Sequence, residues 1–319
     1  MRRPCPESRA AGLLLGYAAD RLLGDPRRFH PVAGFGTVAS VLEERLYADS
    51  RPHGVVHAAL LVGGCAGLGI ALERATAPHP LLRTTVTALV TWTVLGGRSL
   101  EREASAVRER LSAGDLPGAR ERLRSLVGRD TSTLDAAQVA RAVIESVAEN
   151  SSDAVVAPLV WGALAGTPGL LAHRAANTLD AMVGHRDPRY RRFGWASARL
   201  DDLLNLPGAR LAGALAALTS PGRTKTALRA WRRDARGHPS PNAGVVEASF
   251  AGALGIGLGG SNRYGARTEH RPAMGQGRSP EPSDIPRATA LARRVGLGAV
   301  LVAAATTVLG TVVVRPGRR

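Results

Sequence analysis

Cysteine is almost missing from this chain: Cys5 and Cys65 are the only two, and they share no framework or metal-ligand spacing. That excludes a disulfide scaffold and a cysteine-based metal centre. Aromatic residues amount to 4%, and Lys225 is the only lysine, so nearly all the positive charge is arginine. Several signatures are also absent. No P-loop occurs, and no Gly-x-Gly-x-x-Gly opens a helix after a strand. Neither a serine nucleophile elbow nor a His-Glu-x-x-His pair is present. The formal net charge is nevertheless +16. Such a balance invites a nucleic-acid reading, but no recognition module accompanies it and the arginines alternate with apolar stretches. We therefore expect no nucleic-acid partner. Arginine beside membrane segments, or facing anionic substrates, accounts for the charge instead.

What is present is clumped. Apolar residues make up 45% of the chain, mostly Ala, Val and Leu, and 37 glycines stand beside them. Small residues of this kind suit close helix packing in a bilayer. The start, Met1–Asp20, has the look of a signal peptide, yet its apolar run Ala10–Ala19 continues into a polar motif, which favours its retention. Val55–Leu72 carries no formal charge, and Thr84–Gly97 is a shorter companion, so the two read as a membrane hairpin joined by Glu73–Arg83. Val295–Val314 is the clearest transmembrane helix, with Arg293, Arg294 and Arg315 at its ends. Ala154–Ala172 is apolar but interrupted by Pro158, Gly162, Gly166, Pro168 and Gly169. Arginine-rich stretches flank it on both sides, so a broken or re-entrant segment fits the positive-inside tendency better than a plain span. Ser99–Glu149 alternates charged and apolar residues at helical spacing and breaks at Gly114-Asp115 and Gly128. The expected architecture is one mainly α, polytopic membrane helical bundle over 1–319. It has broken segments, a water-facing helical insertion at 99–153, a polar loop at 261–287 and a final membrane helix at 295–314.

The polar motifs gather at the ends of the apolar stretches. Glu145, Glu149 and Asp153 are spaced to share one helical face, where they repel one another unless arginine or a hard cation sits there. Further on come Asn177-Thr-Leu-Asp180-Ala-Met-Val-Gly184 and Arg199-Leu-Asp201-Asp202-Leu-Leu-Asn205-Leu-Pro207-Gly-Ala-Arg210. The second places two carboxylates between two arginines, which serves a metal with phosphate or an ordinary ion-pair network. Asp20-Arg-Leu-Leu-Gly24-Asp25-Pro26 precedes His30-Pro-Val, where His30 is either a general base or a brace for the turn. Ser240-Pro-Asn242-Ala-Gly244 precedes Glu247. Asn242 there either braces the bend or reads a carboxamide or phosphate.

With Val127-Gly-Arg129-Asp130-Thr131 these motifs make six in order, and together they resemble the cobinamide-phosphate synthase family of cobalamin biosynthesis (CobD/CbiB type) from about Asp20 to about Arg294. Ala181 stands where serine is expected and His185 where an aromatic is common; neither change removes a carboxylate or an arginine. The resemblance implies a multi-pass enzyme of the bacterial cell membrane, among lipid and possible fellow cobalamin-biosynthesis enzymes. It would join a corrin propionate of adenosylcobyric acid to aminopropanol or aminopropanol phosphate, with ATP and Mg²⁺. Under it, Glu149, Asp153, Asp201 and Asp202 handle metal and phosphate, with Glu149, Asp153 and Asp202 as the metal ligands. Arg199 and Arg210 bind phosphate. Asn150, Asn177, Asp180, Asn242 and His30 contact substrate. A transporter of corrinoids or organic anions is the alternative, since it would also show intramembrane carboxylates and broken helices.

Overall fold

The structure, a computed structural model, describes residues 6–26, 30–128, 130–185, 187–264 and 267–313. It is helical almost throughout. In chain order the helices are α1 (Pro6–Leu23), α2 (Pro31–Leu46), α3 (Arg51–Thr76), α4 (Pro80–Val94), α5 (Gly97–Ser112), α6 (Leu116–Leu123) and α7 (Ala136–Ser151). A π-helical turn, Ser152–Val156, then leads into α8 (Ala157–Val183), α9 (Tyr190–Phe193), α10 (Trp195–Leu218), α11 (Thr224–Asp234) and α12 (Ala243–Leu254). Strands β1 (Leu258–Tyr264) and β2 (Arg267–Met274) precede the last helix, α13 (Ile285–Val313). Among the described residues, three helical stretches are long and apolar enough to cross a membrane: Arg51–Thr76, Ala136–Val183 and Pro282–Leu309.

Packing divides the chain into two compact units, one of 1–96, 157–205 and 299–319, the other of 97–156 and 206–298. In the first, α4 runs along α1 and α8 along α3. The α1–α4 approach is close because Gly12 and Gly16 face Thr87 and Thr91; a Cβ at either glycine would come within 2.5 Å of a threonine Cβ. This is the small-residue packing that membrane helices use. The short connection does join α3 to α4, but each packs chiefly against another partner. Among the described residues, Pro6–Leu23 is one continuous helix packed along α4.

The interruption anticipated in Ala154–Ala172 lies at Gly166, whose φ of 70° and ψ of −149° break α8 just ahead of Pro168. A break frees backbone N–H groups that lipid cannot satisfy. Here the Thr167 N–H donates to Glu73 Oε1 on α3 at 3.1 Å. Glu73 is itself paired with Arg9 at 3.4 Å and Arg83 at 3.6 Å, and Arg9 also donates to the Ala163 carbonyl. Residues that read as a polar connector therefore repair a broken helix.

In the second unit, the Gly114 and Gly128 breaks, which leave two or three helices open, separate three: α5, α6 and α7. They are not uniformly water-facing. Along α7 the run Val139, Ala140, Ala142, Val143, Ile144, Val147 and Ala148 is wholly buried, and with α12 it forms the core of this unit. Stretch 97–156 shares its packing with 206–298 rather than standing alone. The expected polar loop at 261–287 is different in kind: β1 and β2 pair as an antiparallel hairpin, a short 3₁₀ turn covers Pro282–Asp284, and α13 already begins at Ile285. Its strands lack the apolar alternation that marks a sheet in sequence, and backbone pairing carries them. The last helix consequently starts ten residues earlier than expected, with Arg293 and Arg294 inside it.

Candidate functional site

In the first unit, the second half of α8 and the start of α10 bring two motifs together. Asn177 and Asp180 lie one turn apart on α8, and Gly184 ends the helix beneath them: a Cβ there would meet Asp180 Oδ1 at 1.9 Å. Asn177 Nδ2 donates to Asp201 Oδ1 at 3.3 Å. His173 Nε2 lies 2.9 Å from Asn205 Oδ1, and Trp161 Nε1 donates to the Leu204 carbonyl at 2.7 Å, so α10 is fastened to α8 just beyond the acidic pair. Asp201 is buried, and its carboxyl is pushed up to about 7. Loss of hydration comes first, the nearby Asp180 second, and the Asn177 and Asn205 amides oppose them. Arg199 is exposed and pairs with Asp202 at 3.4 Å. His30 is the N-cap of α2: its Nδ1 accepts from the Val32 N–H at 3.2 Å, which is the turn-bracing role.

The second unit holds a different arrangement. Glu145 and Glu149, one turn apart on α7, line a cleft of about 110 Å³ with Leu126, Val127, Gly128 and Arg271. The Val127-Gly motif and the Glu-Ser-Val-Ala-Glu motif thus meet; Arg129 lies outside the described residues. The positive charge expected beside Glu145 is Arg141, at 3.8 Å. Together they clamp one peptide: Glu145 Oε1 accepts from the Gly259 N–H at 2.9 Å, and Arg141 donates to the Gly259 carbonyl. Both Gly259 and Gly260 have positive φ, and Arg141 fills the space a Cβ on Gly260 would take. Glu145 is therefore engaged in holding the hairpin. Asn150 turns back on its own helix and donates to Ser146 O and Oγ at 2.9 and 3.2 Å. Asp153 falls in the π turn, so the regular one-face stack ends at Ser151, and Asp153 is not among the residues lining the cleft. Such turns recur at functional sites.

Arg210 Nη1 donates to Asn242 Oδ1 at 2.7 Å, joining the last two motifs, and burial lowers the pKa of its guanidinium. The bend before α12 is braced by Ser240, whose Oγ accepts from the N–H groups of Asn242 and Ala243. On α12 itself Glu247 has no exposed surface, and its Oε1 lies 3.7 Å from His238 and 3.8 Å from Arg271. The His238–Glu247–Arg271 set was not legible in sequence, because only the hairpin brings Arg271 to α12. Among the described residues no three His, Cys, Asp or Glu side chains group as a ready metal cage.

The fold and these clusters define a mainly α-helical membrane-bundle protein with buried carboxylates at the ends of apolar helices. A family model described as CobD/Cbib protein matches residues 13–292. Proteins named Cobalamin biosynthesis protein CobD are similar over nearly full length. That of Mycobacterium tuberculosis (strain CDC 1551 / Oshkosh) is 49% identical over 300 residues, 93% of this chain and 95% of its own. That of Geobacter metallireducens is 44% identical over 314 residues, 95% and 98% of the two chains. One from Rhodobacter capsulatus is 43% identical over 312 residues, 95% and 99%. No solved structure matches. The chain belongs to the CobD/CbiB family, and its role is in cobalamin biosynthesis.

Proposed function

We propose that this chain is an ATP-dependent acid–amine ligase of the bacterial cell membrane. In this reading it converts adenosylcobyric acid to adenosylcobinamide or its phosphate, by an amide between a corrin propionate and aminopropanol or aminopropanol phosphate. The observation that supports it most directly is the buried Asp201, braced by Asn177 and Asn205 beside the half-buried Asp180 and Asp202. The amine arrives as an ammonium ion and must lose a proton before it can attack. A carboxyl held near 7 is matched to take that proton at ordinary pH. The propionate would be activated by transfer of the terminal phosphoryl group of ATP. Amine attack on the acyl phosphate then forms the C–N bond, and inorganic phosphate leaves. Arg210, already aimed at Asn242, and the exposed Arg199 are the cations suited to the phosphate groups.

The donors proposed for Mg²⁺ are all oxygen: Glu149 and Asp153 in the second unit and, as a separate donor, Asp202 in the first. With no ready three-carboxylate cage among the described residues, the fit is to a cation held by one or two carboxylates with substrate phosphate completing its shell. When bound, it would supply charge neutralisation for the phosphoryl group.

The break at Gly166 inside an apolar helix is the one feature that favours the transporter reading instead. One experiment separates the two. Membranes holding the chain are incubated with adenosylcobyric acid, ATP, Mg²⁺ and each amine in turn, and the amide is sought by mass spectrometry. Product from one amine, lost in Asp201→Asn and Glu149→Gln, supports the ligase and names its substrate. Folded wild-type protein that leaves intact substrates unjoined overturns it, and uptake into sealed vesicles without product would favour transport.

A further inference from the structure

A second, larger groove in the 97–156/206–298 unit plays no part in the reading above. It has a volume of about 620 Å³, and Ser220, Leu254 and four exposed arginines, Arg223, Arg287, Arg293 and Arg294, line it. The size is that of a site for a small molecule. Two of the arginines have carboxylate partners: Arg287 pairs with Asp284 at 2.5 Å and Arg293 with Glu101 at 3.7 Å. Neither Arg223 nor Arg294 has one among the described residues. The Arg223 guanidinium sits against Gly255, with Nη1 2.1 Å from where a Cβ would stand. Arg287 Nη2 donates to the Leu254 carbonyl at 2.8 Å. The end of α12 thus forms the floor, and the half charge of a helix C-terminus offsets only a fraction of this set.

Apolar side chains border the groove in an unusual way. Among the described residues of this unit, Leu218 and Leu297 are the only exposed large aliphatic side chains. Leu218 stands two residues before Ser220, and Leu297 three after Arg294. Beyond it α13 goes on exposing Leu301, Val302, Val308 and Leu309. Arginines followed at once by outward-facing leucines are what a helix presents where it passes from the headgroup layer into hydrocarbon.

We propose that this groove seats the headgroup of an anionic phospholipid. The phosphate lies among Arg223, Arg287, Arg293 and Arg294, and the acyl chains run along Leu297. A free phosphate compound would use the same arginines but has no use for the apolar border.

The test is native mass spectrometry of the full chain in detergent, titrated separately with phosphatidylglycerol, phosphatidylcholine and ATP. Phosphatidylglycerol should be retained well above phosphatidylcholine, and millimolar ATP should not displace it. Joint replacement of the two arginines without carboxylate partners, Arg223→Gln with Arg294→Gln, should weaken retention roughly thirtyfold. A charge-matched pair elsewhere on the same unit, Arg124→Gln with Arg232→Gln, should leave retention unchanged, and thermal melting shows that both variants fold. Equal retention by the groove variant, equal loss in the control pair, or displacement by ATP would each overturn the proposal. Amide synthesis is not the readout, so this result and that of the ligase reading stand apart.

Discussion

The two units carry their apolar surface in opposite ways. The unit of 1–96, 157–205 and 299–319 exposes Leu14, Leu15, Leu60, Leu68, Leu81 and Leu301 among many others, while that of 97–156 and 206–298 fully exposes only Leu218 and Leu297 among its described large aliphatic side chains. The first presents the apolar surface that hydrocarbon accepts. Their buried acids differ as well. In the first unit Asp201 faces Asp180, with amides for company, and loses its usual acidity. In the second Glu145 faces Arg141, and Glu247 faces Arg271 and His238. An acid among acids is short of positive charge and is suited to receive a cation or a proton. Acids among arginines have had that need met by the fold, and hold the hairpin in place.

This contrast can be broken by substitution. The largest effect is expected at Glu247. Removing it by Glu247→Ala leaves the half-buried Arg271, 3.8 Å away, without that counter-charge and should cost roughly 3–5 kcal/mol in thermal or denaturant unfolding in detergent. A loss within that of an ordinary surface substitution would show that the second unit's acids are not structural.

Asp201→Asn should act in the opposite sense on the first unit. The folded carboxyl titrates near 7, above an unfolded value near 4, so the folded state holds its proton longer. Stability contributed here is complete below about pH 4 and is lost as pH rises to about 7, by at most ~1.4 kcal/mol per pH unit. The asparagine variant should lack that decline when unfolding is followed across this range. An unchanged pH slope would remove the distinction between the two clusters.

Asn242→Ala deprives Arg210 of its 2.7 Å acceptor and should cost about 2 kcal/mol, read by the same unfolding measurement. The smallest effect belongs to His30→Ala, which removes the cap of α2 at about 1 kcal/mol. Loss of amide synthesis in folded His30→Ala, far beyond that destabilisation, would restore His30 as a catalytic group.

Much of the fold was readable along the chain. The uncharged runs behind α3 and α13 marked themselves, since hydrocarbon admits only helices with few charges. The breaks at Gly114 and Gly128 separated α5, α6 and α7 correctly, because glycine and aspartate end helices locally. The hairpin escaped notice: its strands carry no apolar alternation, and Glu145 and Arg141 secure it from more than a hundred residues away. Glu73 read as part of a connector, and nothing nearby in sequence reveals the broken helix that it caps.

Among the site motifs, sequence alone determined which residue types were available: carboxylates, amides and arginines at the edges of apolar segments. Local spacing also determined that Glu145 and Glu149 share a helical face. Tertiary structure decided what each acid meets. Arg141 answers Glu145, the π turn takes Asp153 out of the regular stack, and α8 sets Asp180 close to Asp201. The reason is physical. Helical periodicity acts over three or four residues, whereas the charge environment of a buried acid is set by elements that the chain brings together from far apart.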